Sequence, residues 1–73
     1  MFLSELKDAQ SGVISSINAD AAFTRRLGEM GFTAGERVEC ICRSAFGSPI
    51  LYFAKGSAVA LRKRDASRVA VTI

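Results

Sequence analysis

Apolar residues in this chain recur at the short period that is typical of β-strands, in five runs separated by turn residues. The runs cover residues 13–17, 37–43, 50–54, 57–61 and 69–73. A period of two places one set of side chains in a core and the other set in water. Strands this short in a chain of 73 residues favour a small closed barrel, because closure pairs the strand edges. The sequence therefore predicts a single, mainly β domain over residues 1–73.

One stretch breaks the strand period and predicts a short helix between the first and second strands. Its apolar residues at i, i+4 and i+7 are Phe23, Leu27 and Met30. This spacing is typical of one face of a helix over residues 21–30. Asp20 stands where an N-cap is preferred, and Gly31 where a helix ends in a left-handed residue. Gly35 then follows as a turn residue before the next strand.

The composition excludes several classes of function. The chain has no His and no Trp, so the commonest general base and metal ligand are absent. No residues are spaced as a nucleophile and its base, and no glycine loop precedes a helix to bind phosphate. We therefore expect no enzyme and no cofactor. No apolar run reaches the ~18 residues of a membrane span, and no signal-peptide core is recognisable, so we expect a cytoplasmic protein.

The net charge is +3, which is mild for a nucleic-acid-binding protein. The most basic stretch contains Arg62, Lys63, Arg64 and Arg68. A small barrel could use such residues together with a stacking aromatic, Tyr52 or Phe46, to bind nucleic acid. We keep this as an alternative function, although aromatics in apolar runs are more often core residues.

The two cysteines, Cys40 and Cys42, form a C-x-C pair and not the C-x-x-C of a zinc or redox site. On a strand they share one face with Val38, so we expect all three side chains in the core and both thiols reduced. Free cysteine packs as a small hydrophobe. Weak divalent-metal binding through this pair remains the alternative interpretation.

The longest irregular stretch, residues 44–49, carries Phe46 among small residues. An aromatic in a loop either folds back onto the core or stands out as a contact residue. The basic run 62–64 follows the strand that pairs with residues 50–54, so hairpin geometry places it within reach of this loop. We expect a partner-docking surface there, formed by Phe46, Ser48, Pro49, Arg62, Lys63 and Arg64. The face that carries Arg25 and Arg26 is the second candidate.

Several short motifs, taken in order, resemble the FeoA family. They are Gly12-Val13-Ile14, Arg26-Leu27-Gly28-Glu29-Met30-Gly31-Phe32, Gly35, Gly47-Ser48-Pro49-Ile50, Ala60-Leu61-Arg62 with Asp65-Ala66, and Val69-Ala70-Val71. The resemblance extends over essentially the whole chain, and the set in register is more specific than any single motif. Arg26 and Leu27 match the family's helix, Gly31 and Gly35 its turn, Gly47 and Pro49 its loop, and Leu61 and Arg62 its late basic strand end.

The resemblance implies a five-stranded SH3-like barrel with one short helix between strands 1 and 2. It also implies a function: a small cytoplasmic component of bacterial ferrous-iron transport that acts beside FeoB, a GTP-dependent membrane permease. On this interpretation the domain docks on the cytosolic side of the permease and modulates it, without catalysing a reaction itself. The sequence leaves open whether the domain forms a homo-oligomer.

Overall fold

Five antiparallel strands form one sheet in the computed structural model of the chain, which describes residues 1–73. The strands are β1 (Ser11–Ile17), β2 (Arg37–Arg43), β3 (Ile50–Ala54), β4 (Ser57–Leu61) and β5 (Val69–Thr72), in the order β4-β3-β2-β1-β5. Helix α1 (Ala21–Glu29) connects β1 to β2, and the short helix α2 (Lys63–Ala66) connects β4 to β5. A 3₁₀ turn, Leu3–Glu5, precedes β1. The predicted mainly β architecture with a helix between strands 1 and 2 is confirmed. The predicted closure of the sheet is wrong, because β4 and β5 are its two edge strands and do not pair with each other.

Helix α1 begins at Ala21, as predicted, and ends at Glu29, one residue before the predicted end, with Met30 as its C-cap. The Asp20 side chain accepts a hydrogen bond from the backbone N–H of Phe23 at 2.8 Å, which satisfies a donor that the first helical turn leaves free. At the other end, the N–H of Phe32 donates to the carbonyl of Leu27 and that of Gly31 to the carbonyl of Gly28. These two bonds form a Schellman motif, which requires the left-handed φ of 97° found at Gly31.

The core is one cluster of fourteen buried residues on the inner face of the sheet. Tyr52 lies at its centre, where its ring meets that of Phe32 edge to face with centroids 6.3 Å apart. Its hydroxyl donates to the backbone carbonyl of Leu3 at 3.1 Å, so the one polar atom of this ring is satisfied within the core. Leu3 and Leu6 are themselves buried. The N-terminal segment therefore closes the core on one side.

The N-terminal segment also covers the outer edge of β5. The N–H of Val71 donates to the carbonyl of Met1 at 2.7 Å, and Phe2 forms an isolated antiparallel bridge with Ala70. An uncovered edge strand is a template for pairing with other chains. The first two residues thus protect one of the two edges of the sheet.

The basic stretch contains a helix that the sequence did not predict. Strand β4 ends at Leu61, as its apolar run predicts, and Arg62 is the N-cap of α2. Lys63 and Arg64 lie within α2, which buries Ala66 against the core. A four-residue helix is too short to leave a periodic signal in the sequence, and here it forms because Ala66 has a place in the core.

Truncation of Leu27 to Ala should destabilise the domain by roughly 2–5 kcal/mol, because Leu27 is completely buried and its removal leaves a cavity. The matched control is Ile73→Ala, since Ile73 is 75% exposed and should change the free energy of unfolding by less than about 0.5 kcal/mol. Equilibrium denaturation in urea, followed by circular dichroism, measures both. Equal effects of the two substitutions would contradict the assignment of Leu27 to the core.

Burial raises the pKa of Tyr52 well above its ordinary value. Because the raised pKa belongs to the folded state, the contribution of Tyr52 to stability is complete below about pH 10, where an unfolded tyrosine titrates, and is lost at higher pH. The chain has one tyrosine, so near-ultraviolet absorbance of phenolate reports this residue alone. We expect phenolate to appear in native protein only when the domain unfolds; reversible ionisation near pH 10 in folded protein would contradict burial.

Candidate functional site

Surface features are the candidate sites in this molecule. The structure encloses no cavity of ligand size, and no three of its Cys, Asp and Glu side chains cluster closely enough to hold a metal ion. No helix has both the length and the hydropathy needed to cross a membrane.

The loop of residues 44–49 holds Phe46 away from the core. Phe46 is 97% exposed, which decides between the two interpretations of this aromatic: it stands out into solvent. The loop is held by internal hydrogen bonds, from the hydroxyl of Ser44 to the carbonyl of Ser48 at 2.6 Å and from the N–H of Gly47 to the carbonyl of Ser44 at 2.9 Å. A large apolar side chain on an ordered loop is an anchor of the kind that interfaces use.

The basic run lies beside this loop, because the backbone N–H of Lys63 donates to the hydroxyl of Ser48 at 3.0 Å. Arg62 pairs with Asp65 at 3.3 Å, whereas Lys63 and Arg64 form no ion pair. The contact between Lys63 and Ser48 places the loop next to the start of α2. The residues of the expected docking surface, which we call the loop–α2 surface, are Phe46, Ser48, Pro49, Arg62, Lys63 and Arg64. All six are exposed.

The prediction that both cysteines point into the core is wrong for Cys42. Cys40 is buried, but Cys42 is exposed. The pairing of β2 with β3 shifts by one residue between Cys40, opposite Tyr52, and Cys42, opposite Leu51. Such a β-bulge inserts one residue and reverses the face of every residue beyond it. The C-x-C pair therefore does not present two thiols on one face.

The bulge also turns Arg43 towards the core side, where its guanidinium donates to the backbone carbonyls of Ser4 and Leu6. These bonds fasten the N-terminal segment to the end of β2. Burial raises the pKa of the Cys40 thiol, which keeps it protonated and unreactive at neutral pH.

A second basic feature lies on helix α1. The guanidinium carbons of Arg26 and Arg68 lie 5.5 and 5.7 Å from the centroid of the Phe23 ring, within the range of cation–π attraction. The sequence predicted a face with Arg25 and Arg26 and grouped Arg68 with the basic run 62–64. The fold instead brings Arg68 to Phe23 of α1. This cluster has no carboxylate partner.

The remaining motif residues have structural positions. Gly35 has a left-handed φ of 89°, and its N–H donates to the carbonyl of Ile14 at 2.8 Å. Gly47 has a φ of 84° in the loop, and Leu61 is buried at the end of β4. Tyr52 is completely buried and cannot stack on a nucleic-acid base, so Phe46 is the one exposed aromatic of the two that the nucleic-acid alternative named.

Five antiparallel strands in this order, with a helical turn before the last strand, define the class of small SH3-like β domains. The model of the FeoA domain matches residues 1–73, and the chain belongs to the FeoA family.

Relatives with known structures share this fold. FeoA from Stenotrophomonas maltophilia, described as an SH3 domain protein and crystallised with zinc, is 38% identical, with a TM-score of 0.85 over 99% of this chain and 89% of that one. FeoA from Chlorobium tepidum is 30% identical, with a TM-score of 0.93 over 100% of this chain and 70% of that one. The predicted SH3-like fold and family are confirmed.

A curated relative is far longer. The chain is 30% identical over 73 residues to the Fe(2+) transport protein A/Fe(2+) transporter FeoB fusion protein of Porphyromonas gingivalis. The aligned region covers 100% of this chain but 9% of the length of the fusion protein.

Thiol labelling of native protein should distinguish the two cysteines. In the Cys40→Ser variant the remaining thiol, Cys42, should react rapidly because it is exposed; in the Cys42→Ser variant Cys40 should react only when the domain opens. Timed reaction with a maleimide, followed by mass spectrometry, measures both rates, and denatured protein gives the unhindered rate. Equal native rates would contradict the bulge.

Proposed function

We propose that this domain is a cytoplasmic accessory module of bacterial ferrous-iron transport, which docks on the cytosolic side of a FeoB-type GTP-dependent permease and modulates it. Membership of the FeoA family supports this proposal. The single most direct support is the Porphyromonas gingivalis protein, in which a segment similar to this chain is named as part of one fusion with FeoB. Because fusion holds two partners at a high effective concentration, it favours their association.

The loop–α2 surface is our proposed docking surface. It combines an apolar anchor, Phe46, with a rim of positive charge from Lys63 and Arg64, which form no ion pair within the domain. An acidic surface on the permease would be steered by the rim and held by the anchor. Ferrous iron is then the cargo of the permease and not a resident cofactor of this domain, since Cys40 and Cys42 face opposite sides of the sheet.

Charge reversal and anchor truncation should affect binding kinetics differently. Arg64→Glu should slow association with the purified cytosolic domain of the permease and reduce its dependence on salt. Phe46→Ala should instead speed dissociation, by about tenfold or more if Phe46 contributes as an interface hot spot. Surface plasmon resonance at two salt concentrations separates the two rates. Neither substitution removes a core residue or an ion pair, so both variants should remain folded.

The chain offers a matched control for each variant. Arg37→Glu changes the net charge by the same amount as Arg64→Glu, but at the end of β2 that lies away from α2. Ile73→Ala removes an exposed aliphatic side chain outside the loop–α2 surface. Both controls should bind as wild type does. If all four variants bind equally well, the docking surface lies elsewhere, and the face with Arg25 and Arg26 becomes the next candidate. If wild type itself does not bind, the proposed function is wrong.

A further inference from the structure

The two edge strands of the sheet, β4 and β5, differ in what covers them. The N-terminal segment covers the edge of β5, as described above, but no hydrogen bond joins β4 to any segment except β3. The burial of β4 agrees with an open edge: Ser57, Ala58 and Ala60 are exposed, Val59 is half-buried and Leu61 is buried.

The hairpin turn fixes which backbone groups point out of this edge. Lys55 and Gly56 both have left-handed φ, 51° and 77°, and the turn joins Ala54 directly to Ser57. A two-residue turn of this type I′ form is closed by a hydrogen-bonded pair, and such pairs alternate along the ladder. Ser57, Val59 and Leu61 therefore bond to β3. The N–H and C=O groups of Ala58 and Ala60 point outward, without a partner in the protein.

The strand is also free of the usual devices that block an edge. Ser57–Leu61 contains no charge and no proline. Its outward-facing neighbours on the sheet are apolar as well, since Phe53 is 43% and Ile41 38% exposed. The edge thus offers both a backbone ladder and an apolar margin to an added strand.

Positive charges at both ends of β4 determine which strand can pair with it. Lys55 precedes the strand, with its side chain 62% exposed and its ammonium 4.0 Å from the Glu36 carboxylate, and the basic run 62–64 follows the strand. If the β4 strands of two copies paired antiparallel about Val59, Lys55 of each copy would lie opposite the basic run 62–64 of the other. A register shift by one residue in either direction would still place Lys55 opposite a residue of that run. Like charges placed opposite one another destabilise a pair of strands. These flanks therefore disfavour a second copy and favour a partner strand with acidic ends.

We infer that the open edge of β4 binds an extended segment of a partner protein, apolar or small in its middle and acidic at both ends, by adding it to the sheet as a sixth strand. This inference deepens the proposed function, on which it rests, by giving the docking segment a conformation and a charge pattern. One end of the segment would meet the loop–α2 surface, because the basic run belongs to both sites.

Hydrogen exchange of the Ala58 and Ala60 amides tests the inference directly. The probe is the peptide acetyl-Asp-Glu-Val-Thr-Val-Thr-Val-Glu-Asp-amide, added at millimolar concentration to ¹⁵N-labelled full chain. Both amides should exchange quickly in free protein and about tenfold more slowly with the peptide, whereas Val59 should be slow in both. A charge-matched peptide with Pro at its central position should give no protection, because it cannot form the ladder. A peptide with Lys at the four acidic positions should bind at least about tenfold more weakly.

Proline substitution in β4 gives a second, independent measurement. Ala60→Pro removes an outward N–H without removing a bond to β3, so it should leave the domain folded and weaken the acidic peptide by about fivefold to tenfold. The control Ala60→Thr keeps the N–H and should bind as wild type does. If Ala60→Pro does not fold, Ala58→Pro serves the same purpose, and the exchange measurement on wild type stands alone.

Each result separates the inference from the function on which it rests. No protection of the Ala58 and Ala60 amides by the acidic peptide, or equal binding of the lysine peptide, overturns the inference. Protection that rises with protein concentration alone also overturns it, because the occupant would then be a second copy. If permease cytosolic domain binds wild type and Ala60→Pro equally, the β4 inference fails while the proposed function stands. If the acidic peptide binds but the cytosolic domain of the permease does not, the edge site stands and the choice of permease as partner fails.

Discussion

The hydrogen bond from the Tyr52 hydroxyl to the carbonyl of Leu3 joins the middle of the sheet to the N-terminal segment, and the rest of the fold depends on that join. A chain of this size has little apolar surface to spare. The sheet alone would leave one side of its core and the edge of β5 in water. The N-terminal segment covers both, and Arg43 fastens it from β2 through two further carbonyls. Losing this segment would therefore expose core and edge together.

Much of this fold was predictable from the sequence because its local and tertiary signals agree. The limits of β2, β3 and β4 match the apolar runs, since each strand has one face in the core. Asp20 and Gly31 determine the limits of α1 through their own backbone and side-chain preferences, without help from distant residues. The loop of residues 44–49 could be placed near the basic run because a short hairpin connects the strands that carry them.

The sequence prediction failed where the outcome depends on pairing between strands. The alternation from residue 37 to 43 is regular, yet a bulge between Cys40 and Cys42 sends the second thiol outward and Arg43 inward. Nothing in the local sequence marks that bulge, because it is decided by how β2 meets β3. The approach of Arg68 to Phe23 and the open edge of β4 were hidden for the same reason: both depend on which elements become neighbours.

The buried position of Tyr52 has a practical consequence. The chain has no tryptophan and one tyrosine, so its intrinsic fluorescence comes essentially from this phenol, which is completely buried and bonded to a backbone carbonyl. A partner that binds at Phe46 or along β4 touches neither the ring nor its acceptor. Emission should thus stay constant while such complexes form and change only when the N-terminal segment leaves the core. The domain carries a built-in optical reporter that separates surface recognition from loosening of the fold.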